Sequence, residues 1–469
     1  VTHALRFASG AILTALLVVA PLNFGSTRPG GAELVAFACA AAPLVWAASL
    51  VLARKASAVP LPVALAAALF ILAALPWITG LANVTSIAPF TESHFARVQT
   101  RWPVGILAAA VFSPPFFLVA LVAAILPLTD LARDQRWSLA FAIALTATAV
   151  LVAILALAQN HTRATGIFWR DDGRMPGAFS GTFFHHTSFG AYLNTAWPLA
   201  AALACIARRR RPVLAALAAI ACLLLLAAHT AHVGRFPQLA VLLAAPVLFL
   251  GLKPKLPWPR GPRVWLAASA AAAALALVVS LGGRADSIAA RWSLLLRPVS
   301  IQKIQPAEAD WPALMRDDLV IAGTSHPGWF GDREVGWRAA LSAIAARPLA
   351  GHGPGNWIGA ASRHTDDPFV RTFYQFLQFT HHDPLQTAVE WGVPAALALW
   401  TLLLGAIVSV ARLHRRPPLA LAAACALAAL LLQSQLDFPF QIPALALHAA
   451  VLAALCHAAA NRAPASPAA

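Results

Sequence analysis

Long apolar runs, separated by short clusters of charge, proline or glycine, recur along most of the chain. A run of about 20 residues, at 1.5 Å per residue in a helix, crosses the ~30 Å hydrocarbon core of a bilayer. The pattern predicts about twelve spans: 4–24, 32–53, 58–79, 103–129, 137–158, 187–207, 213–230, 236–252, 264–282, 386–411, 418–436 and 440–458. Pro114-Pro115 interrupts the fourth, which is expected to be broken or re-entrant. The first follows Arg6 as a signal peptide would, but no small-residue cleavage site with a polar start comes after it, so it is read as a span. The runs do not alternate as the strands of a membrane barrel do.

The expected fold class is therefore all-α, a polytopic membrane protein. Residues 1–282 form spans one to nine, 283–385 a large, mostly helical outer loop capping the bundle, and 386–461 spans ten to twelve. The Ala/Pro-rich tail 462–469 is expected to be disordered. No internal repeat is evident.

Composition sharpens this reading. Of 469 residues, 60% are hydrophobic and 11% charged, with a mean hydropathy of +0.71. A soluble domain carries about 25% charged residues. A cytosolic enzyme, a disordered scaffold and a secreted disulfide domain are excluded. Cys39, Cys205, Cys222, Cys425 and Cys456 all lie in apolar runs, at spacings that suit neither a disulfide framework nor a zinc site.

The net charge of +16 resembles a nucleic-acid signature, yet no basic stretch sits on a soluble domain, and no nucleic-acid partner is expected. Lys and Arg instead set topology by staying on the cytoplasmic side. An inside N-terminus places Arg54-Lys55, Arg133, Arg136, Arg208 to Arg211, Lys253, Lys255, Arg260, Arg263, Arg412, Arg415 and Arg416 in cytoplasmic loops. The same choice puts most of the 15 histidines outside, among them His94, His161, His185, His186, His229, His232, His326, His352, His364, His381 and His382. Histidines and arginines gathered on one face suggest that the chemistry is done outside the membrane.

The richest stretch is Thr380-His381-His382-Asp383-Pro384-Leu385-Gln386, followed by Glu390-Trp391-Gly392. Asp383 before Pro384 reads as an N-cap with proline in the first helical position. The two histidines then lie at a helix N-terminus, whose positive dipole end disfavours imidazolium and keeps an imidazole able to accept a proton. Glu390, two turns further in, needs a partner. The bland alternative is a capped helix end with surface histidines. Arg235, Arg291 and Arg333 are outer-face cations that suit a diphosphate through bidentate guanidinium contacts, or else anchor lipid headgroups. Gly351-His352-Gly353-Pro354-Gly355-Asn356-Trp357 is a glycine-rich turn that allows close backbone approach to a ligand, but it is too short for a Walker loop. Asp437 in Gln433-Ser434-Gln435-Leu436-Asp437 is a helix cap or a partner for an arginine. Zinc competes for His185-His186 and His381-His382-Asp383, yet no H-E-x-x-H spacing is present, and no metal is expected.

Together these stretches resemble the O-antigen ligase and polymerase superfamily of bacterial cell-envelope glycosyltransferases. The motifs that carry the resemblance are Gly181 to Leu193, Arg333 with Trp337 continuing through Arg347-Pro348 to Gly355, His381-His382-Asp383-Pro384-Leu385-Gln386 with Glu390 and Gly392, and Asp437-Phe438-Pro439. The first half of the chain matches only in hydropathy. His382 stands where the family usually has Asn, His185-His186 replace an Asn-rich segment, and Arg235 lies near the family's Ser-Arg-Gly pattern. His381 matches the family's catalytic histidine.

The resemblance implies an inner-membrane enzyme with its site facing the periplasm. It would move glycan from a polyprenyl-diphosphate carrier to an acceptor hydroxyl, with inversion and without a cofactor. The acceptor would be another lipid-linked glycan, lipid A core or a protein. His381, His382, Arg333 and Arg235 are the expected catalytic residues, and Arg291, Asp383, Glu390, Asp437, His185 and His186 the expected substrate contacts. The alternative from another class is a twelve-span transporter or lipid-linked oligosaccharide flippase. Its ionisable residues should lie near the bilayer midplane rather than at one boundary.

Overall fold

A computed structural model describes residues 1–28, 30–78, 117–170, 180–232, 234–252, 331–364 and 379–461. Their helices, in chain order, are α1 (Thr2–Leu22), α2 (Gly31–Ala53), α3 (Leu61–Ile78), α4 (Phe117–Leu131), α5 (Gln135–His161), α6 (His186–Ala207), α7 (Pro212–Ala231) and α8 (Arg235–Leu252). There follow α9 (Gly331–Ala346), α10 (Trp357–Arg363), α11 (Asp383–Trp391), α12 (Val393–Ala411), α13 (Pro418–Gln433) and α14 (Pro443–Ala460). The expected ninth span (264–282), Arg291, the first part of the fourth span, most of the 283–385 loop and the tail lie outside the described residues.

Among the described residues, eight helices are long and apolar enough to cross a membrane: α1, α2, α5, α6, α7, α8, α12 and α14. The shorter α3, α4 and α13 are apolar as well. The chain is an all-helical, polytopic integral membrane protein. Large apolar side chains cover its outside, for example Leu44, Val51, Leu65, Leu217, Leu250 and Leu397, each more than half exposed. An apolar surface of that extent suits lipid, not water.

The most enclosed candidate spans are α14 and α6. Helix α14 packs against α4, α12 and α13, and α6 against α7, α13 and α5. Both facing surfaces are rich in alanine, which lets helix backbones approach closely where lipid gives no hydrophobic drive for association. At one end Arg6 pairs with the buried Asp130 at 2.7 Å, and Trp46 Nε1 donates to the same carboxylate at 2.8 Å, tying α1, α2 and α4 together.

The tenth span, read as one helix over 386–411, is two helices. Gly392, at φ 85°, breaks it, and Pro394 in the first turn of α12 has no amide to continue the ladder. The freed Val393 N–H donates to Pro348 O at 2.8 Å. The break leaves α11 as a short separate helix packed under α9 and α10, which places His381 and His382 at its entrance. The eleventh span likewise ends early, at Gln433, and the twelfth starts late, at Pro443, after the 3₁₀ turn Pro439–Gln441. The connection this lengthens holds Asp437 and Phe438.

Candidate functional site

The entry to α11, the exit of α13 and the N-terminus of α6 meet at one end of the bundle. This end is opposite the basic connections at Arg208 to Arg211 and Arg412 to Arg416. Asp383 N–H donates to Ser434 O at 2.9 Å, and Gln433 Nε2 donates to Thr187 O at 3.1 Å.

His381 Nδ1 lies 3.7 Å from Asp437 Oδ1, within ion-pair range but longer than a hydrogen bond. The His381 ring stands edge-on to Phe438, with centroids 4.8 Å apart. His381 itself has φ 53°, a left-handed conformation uncommon for a residue with a Cβ. Such local strain persists only where the surroundings over-determine it.

Asp437 is buried but well supplied with donors. Gln433 Nε2 donates to its Oδ2 at 3.1 Å and Phe438 N–H to its Oδ1 at 3.0 Å. Burial alone pushes the carboxyl up. The proximity and charge of His381, with His185 and the Thr187 hydroxyl, outweigh burial and hold it below the ordinary carboxylate range. The sequence left Asp437 as a helix cap or an arginine's partner; the structure sets it against His381. His185 joins through Thr187, whose hydroxyl is 2.6 Å from His185 Nδ1. The His185 ring also lies 6.0 Å from Phe438 and 4.5 Å from His186.

His382 is the residue that caps α11: its Nδ1 accepts the Leu385 N–H at 3.2 Å. The expected cap, Asp383, is instead the first helical residue, and its carboxylate faces away. It accepts Phe440 N–H at 2.9 Å and Gln441 Nε2 at 3.1 Å, bracing the 3₁₀ turn beside Asp437. Burial pushes the Asp383 carboxyl up, and these two donors offset that only in part. Burial likewise pushes His382 down, which suits a ring nitrogen that must stay unprotonated to cap a helix.

Glu390 has the partner it was expected to need. Gln386 Nε2 donates to it at 2.9 Å, and the backbone amides of Gly355 and Trp357 also reach its carboxylate. Burial still raises it to about 7. The glycine turn approaches this helix. His352 N–H donates to Val389 O at 2.7 Å and Gly353 N–H to Glu390 O at 3.0 Å. A Cβ on Gly351 would lie 2.6 Å from Glu390 O. Two expected substrate contacts, Asp383 and Glu390, are thus occupied by protein donors.

The cations arrive from α8 and α9. Arg333 and Trp337 are one turn apart on α9. The Trp337 ring is T-shaped to His382 at 5.4 Å, and the Arg333 guanidinium lies 5.0 Å from the Phe236 ring. Phe236 follows Arg235, the first residue of α8. One face of α9 therefore links His382, at the entry of α11, to Phe236 at the head of α8. Arg333 is half-buried, and its Nε has no hydrogen-bond partner among the described residues.

The sequence did not mark Phe438, Thr187 and Gln433 as functional. Gln433 and Asp437 stand four apart, the spacing that joins side chains across a helix turn, and that was the signal available.

Residues 220–400 match the family model described as O-antigen ligase, so the resemblance read from the sequence holds over that stretch. The matched segment includes Arg235, Arg333, His381 and Glu390, whereas Asp437 and His185 lie outside it. No curated protein matches the chain.

Proposed function

We propose, from the O-antigen ligase match, that this membrane enzyme transfers glycan from a polyprenyl-diphosphate carrier to an acceptor hydroxyl. The reaction takes place on the periplasmic face of a bacterial inner membrane. The observation that carries the reading is the pairing of His381 with Asp437, with α9 setting Trp337 against the neighbouring His382 and Arg333 over Phe236 of α8.

Asp437 faces Nδ1 of His381 and favours a proton there, which leaves the Nε2 lone pair for the acceptor hydroxyl. As the hydroxyl oxygen bonds to the anomeric carbon, its proton passes to Nε2. The carbon–oxygen bond to the diphosphate breaks, and its electron pair leaves with the lipid diphosphate. Asp437 stabilises the imidazolium that forms. Arg333 and Arg235 hold the diphosphate and meet its growing negative charge, which removes the need for a metal or a second acid. One displacement inverts the anomeric centre.

The acceptor is another lipid-linked glycan, lipid A core or a protein hydroxyl. The deciding experiment incubates the purified protein with polyprenyl-diphosphate oligosaccharide, with and without chelator, and analyses products by mass spectrometry. A ladder of lengths identifies a polymerase and a single transfer a ligase. Release of no lipid diphosphate by the wild type, or normal transfer by His381→Asn, overturns the reading.

A further inference from the structure

A second pair of histidines lies apart from the His381 site. His229, in the last turn of α7, and His232, just beyond it, are 4% and 0% exposed. His229 Nδ1 and His232 Nε2 are 2.9 Å apart, and Gly234 N–H donates to His232 Nδ1 at 3.0 Å. A neutral imidazole has one donor and one acceptor nitrogen. His232 Nδ1 is the acceptor, so its proton sits on Nε2 and is donated to His229 Nδ1. The direction of the whole relay is thereby set. It ends at His229 Nε2, a buried N–H with no partner among the described residues. An unpartnered buried donor costs stability, so the pair is a poor way simply to fill the helix interface.

What the relay holds is the start of α8. Gln238 Nε2 reaches back to the carbonyls of His229 at 3.1 Å and His232 at 2.9 Å. From α6, Asn194 Nδ2 donates to Pro237 O at 2.9 Å. A Cβ on Gly190 would meet Pro237 at 2.5 Å and the His232 ring at 2.8 Å, so α6 fits against this turn with no room to spare. The residue that leaves this braced turn is Arg235, directly after Gly234.

We propose that His232, oriented by His229, is a positioning residue for Arg235: it fixes the Gly234 amide and so the helix start that aims Arg235 at the donor's diphosphate. The inference rests on the reading of Arg235 given above. The amide oxygen of Asn stands about where His Nδ1 does, whereas the amide of Gln stands about where Nε2 does. His232→Asn therefore keeps the acceptor for Gly234, and His232→Gln loses it.

The test measures kcat and KM for polyprenyl-diphosphate oligosaccharide with the purified full-length protein. His232→Gln should raise the donor KM about tenfold and lower kcat as well, because the misplaced Arg235 both binds the diphosphate and meets its growing charge. His232→Asn should stay within about twofold of wild type, and adding His232→Gln to Arg235→Ala should cost nothing further. At His229, Asn keeps an acceptor for His232 Nε2–H and Gln does not, so that pair repeats the contrast if a His232 variant fails to fold. Equal KM values for the Asn and Gln variants, with Arg235→Ala raising KM, overturn the relay alone. An unchanged donor KM in Arg235→Ala overturns the underlying reading of Arg235 and the relay with it.

Discussion

Asp437 Oδ1 stands 3.7 Å from His381 Nδ1, and the two residues reach each other from different helix ends, the exit of α13 and the entry of α11. The contact favours a proton on Nδ1, which in the proposed reaction leaves Nε2 for the acceptor hydroxyl. Asp437 is held below the ordinary carboxylate range and so supplies a negative charge at that nitrogen.

Loss of the base should cost transfer without costing the fold. His381→Asn should lower kcat about 10²–10⁴-fold, the range for a general base. Asn is the better choice than Ala here, since it tolerates the left-handed backbone at φ 53°. Asp437→Asn removes the charge that orients the ring, and should lower kcat by a smaller factor. Its second signature is acid stability. A depressed carboxyl stabilises the fold above its ordinary value of 3.8, and that stability is lost as pH falls through its lower folded value. The variant should therefore show a shallower acid-unfolding slope than wild type.

Glu390 runs the other way. Its folded value is raised from 4.5 to about 7, so the fold binds its proton more tightly than the unfolded chain does. Wild-type stability should decline by about 3 kcal/mol at most as pH rises through that window, and level off above it. Glu390→Gln should lose the slope. Thermal unfolding in detergent, scanned in pH, compares the two. A wild-type slope identical to that of the variant would remove the buried carboxyl from the account.

The glycine turn should be intolerant for steric reasons. Gly351 has φ 73°, and a Cβ there would lie 2.6 Å from Glu390 O, a backbone atom that cannot swing aside. Gly351→Ala should destabilise by at least about 2 kcal/mol, from left-handed strain plus the clash. Gly30, also at positive φ, has nothing within 4 Å of a Cβ, so Gly30→Ala carries the strain without the clash. Faster amide exchange across 351–357 in Gly351→Ala, and a smaller loss of stability in Gly30→Ala, are the expected results.

The spans were legible because apolar length is a local property, and α1, α2, α5 to α8 and α14 fall within a few residues of the reading. The break at Gly392 was not, since a glycine within an apolar run is tolerated in a membrane helix unless a tertiary partner captures the freed amide. Pro348 is that partner, and it lies far away in sequence. The same limit applied to the carboxylates. Asp383 beside proline has the local pattern of a cap, but Phe440 and Gln441, from the next helix connection, claim its side chain. His381 was found because its neighbours in sequence form the motif, and Asp437 was named without its role because its partner is not a neighbour.

Arg333 offers the sharpest separation of charge from shape. Its guanidinium rests 5.0 Å from Phe236, and its buried Nε has no hydrogen-bond partner among the described residues. A diphosphate oxygen would supply that acceptor. Lysine restores the charge, but neither the flat face that stacks on Phe236 nor the fork that pairs two phosphate oxygens. Arg333→Lys should therefore raise the donor KM about tenfold and Arg333→Ala about a hundredfold, with the acceptor KM unchanged. Phe236→Leu removes the stacking surface alone and should fall between wild type and Arg333→Lys. If Lys performs as well as Arg, only a point charge is needed and the bidentate contact is wrong. If acceptor KM rises in place of donor KM, Arg333 belongs to the other substrate, and Arg235 alone would hold the diphosphate.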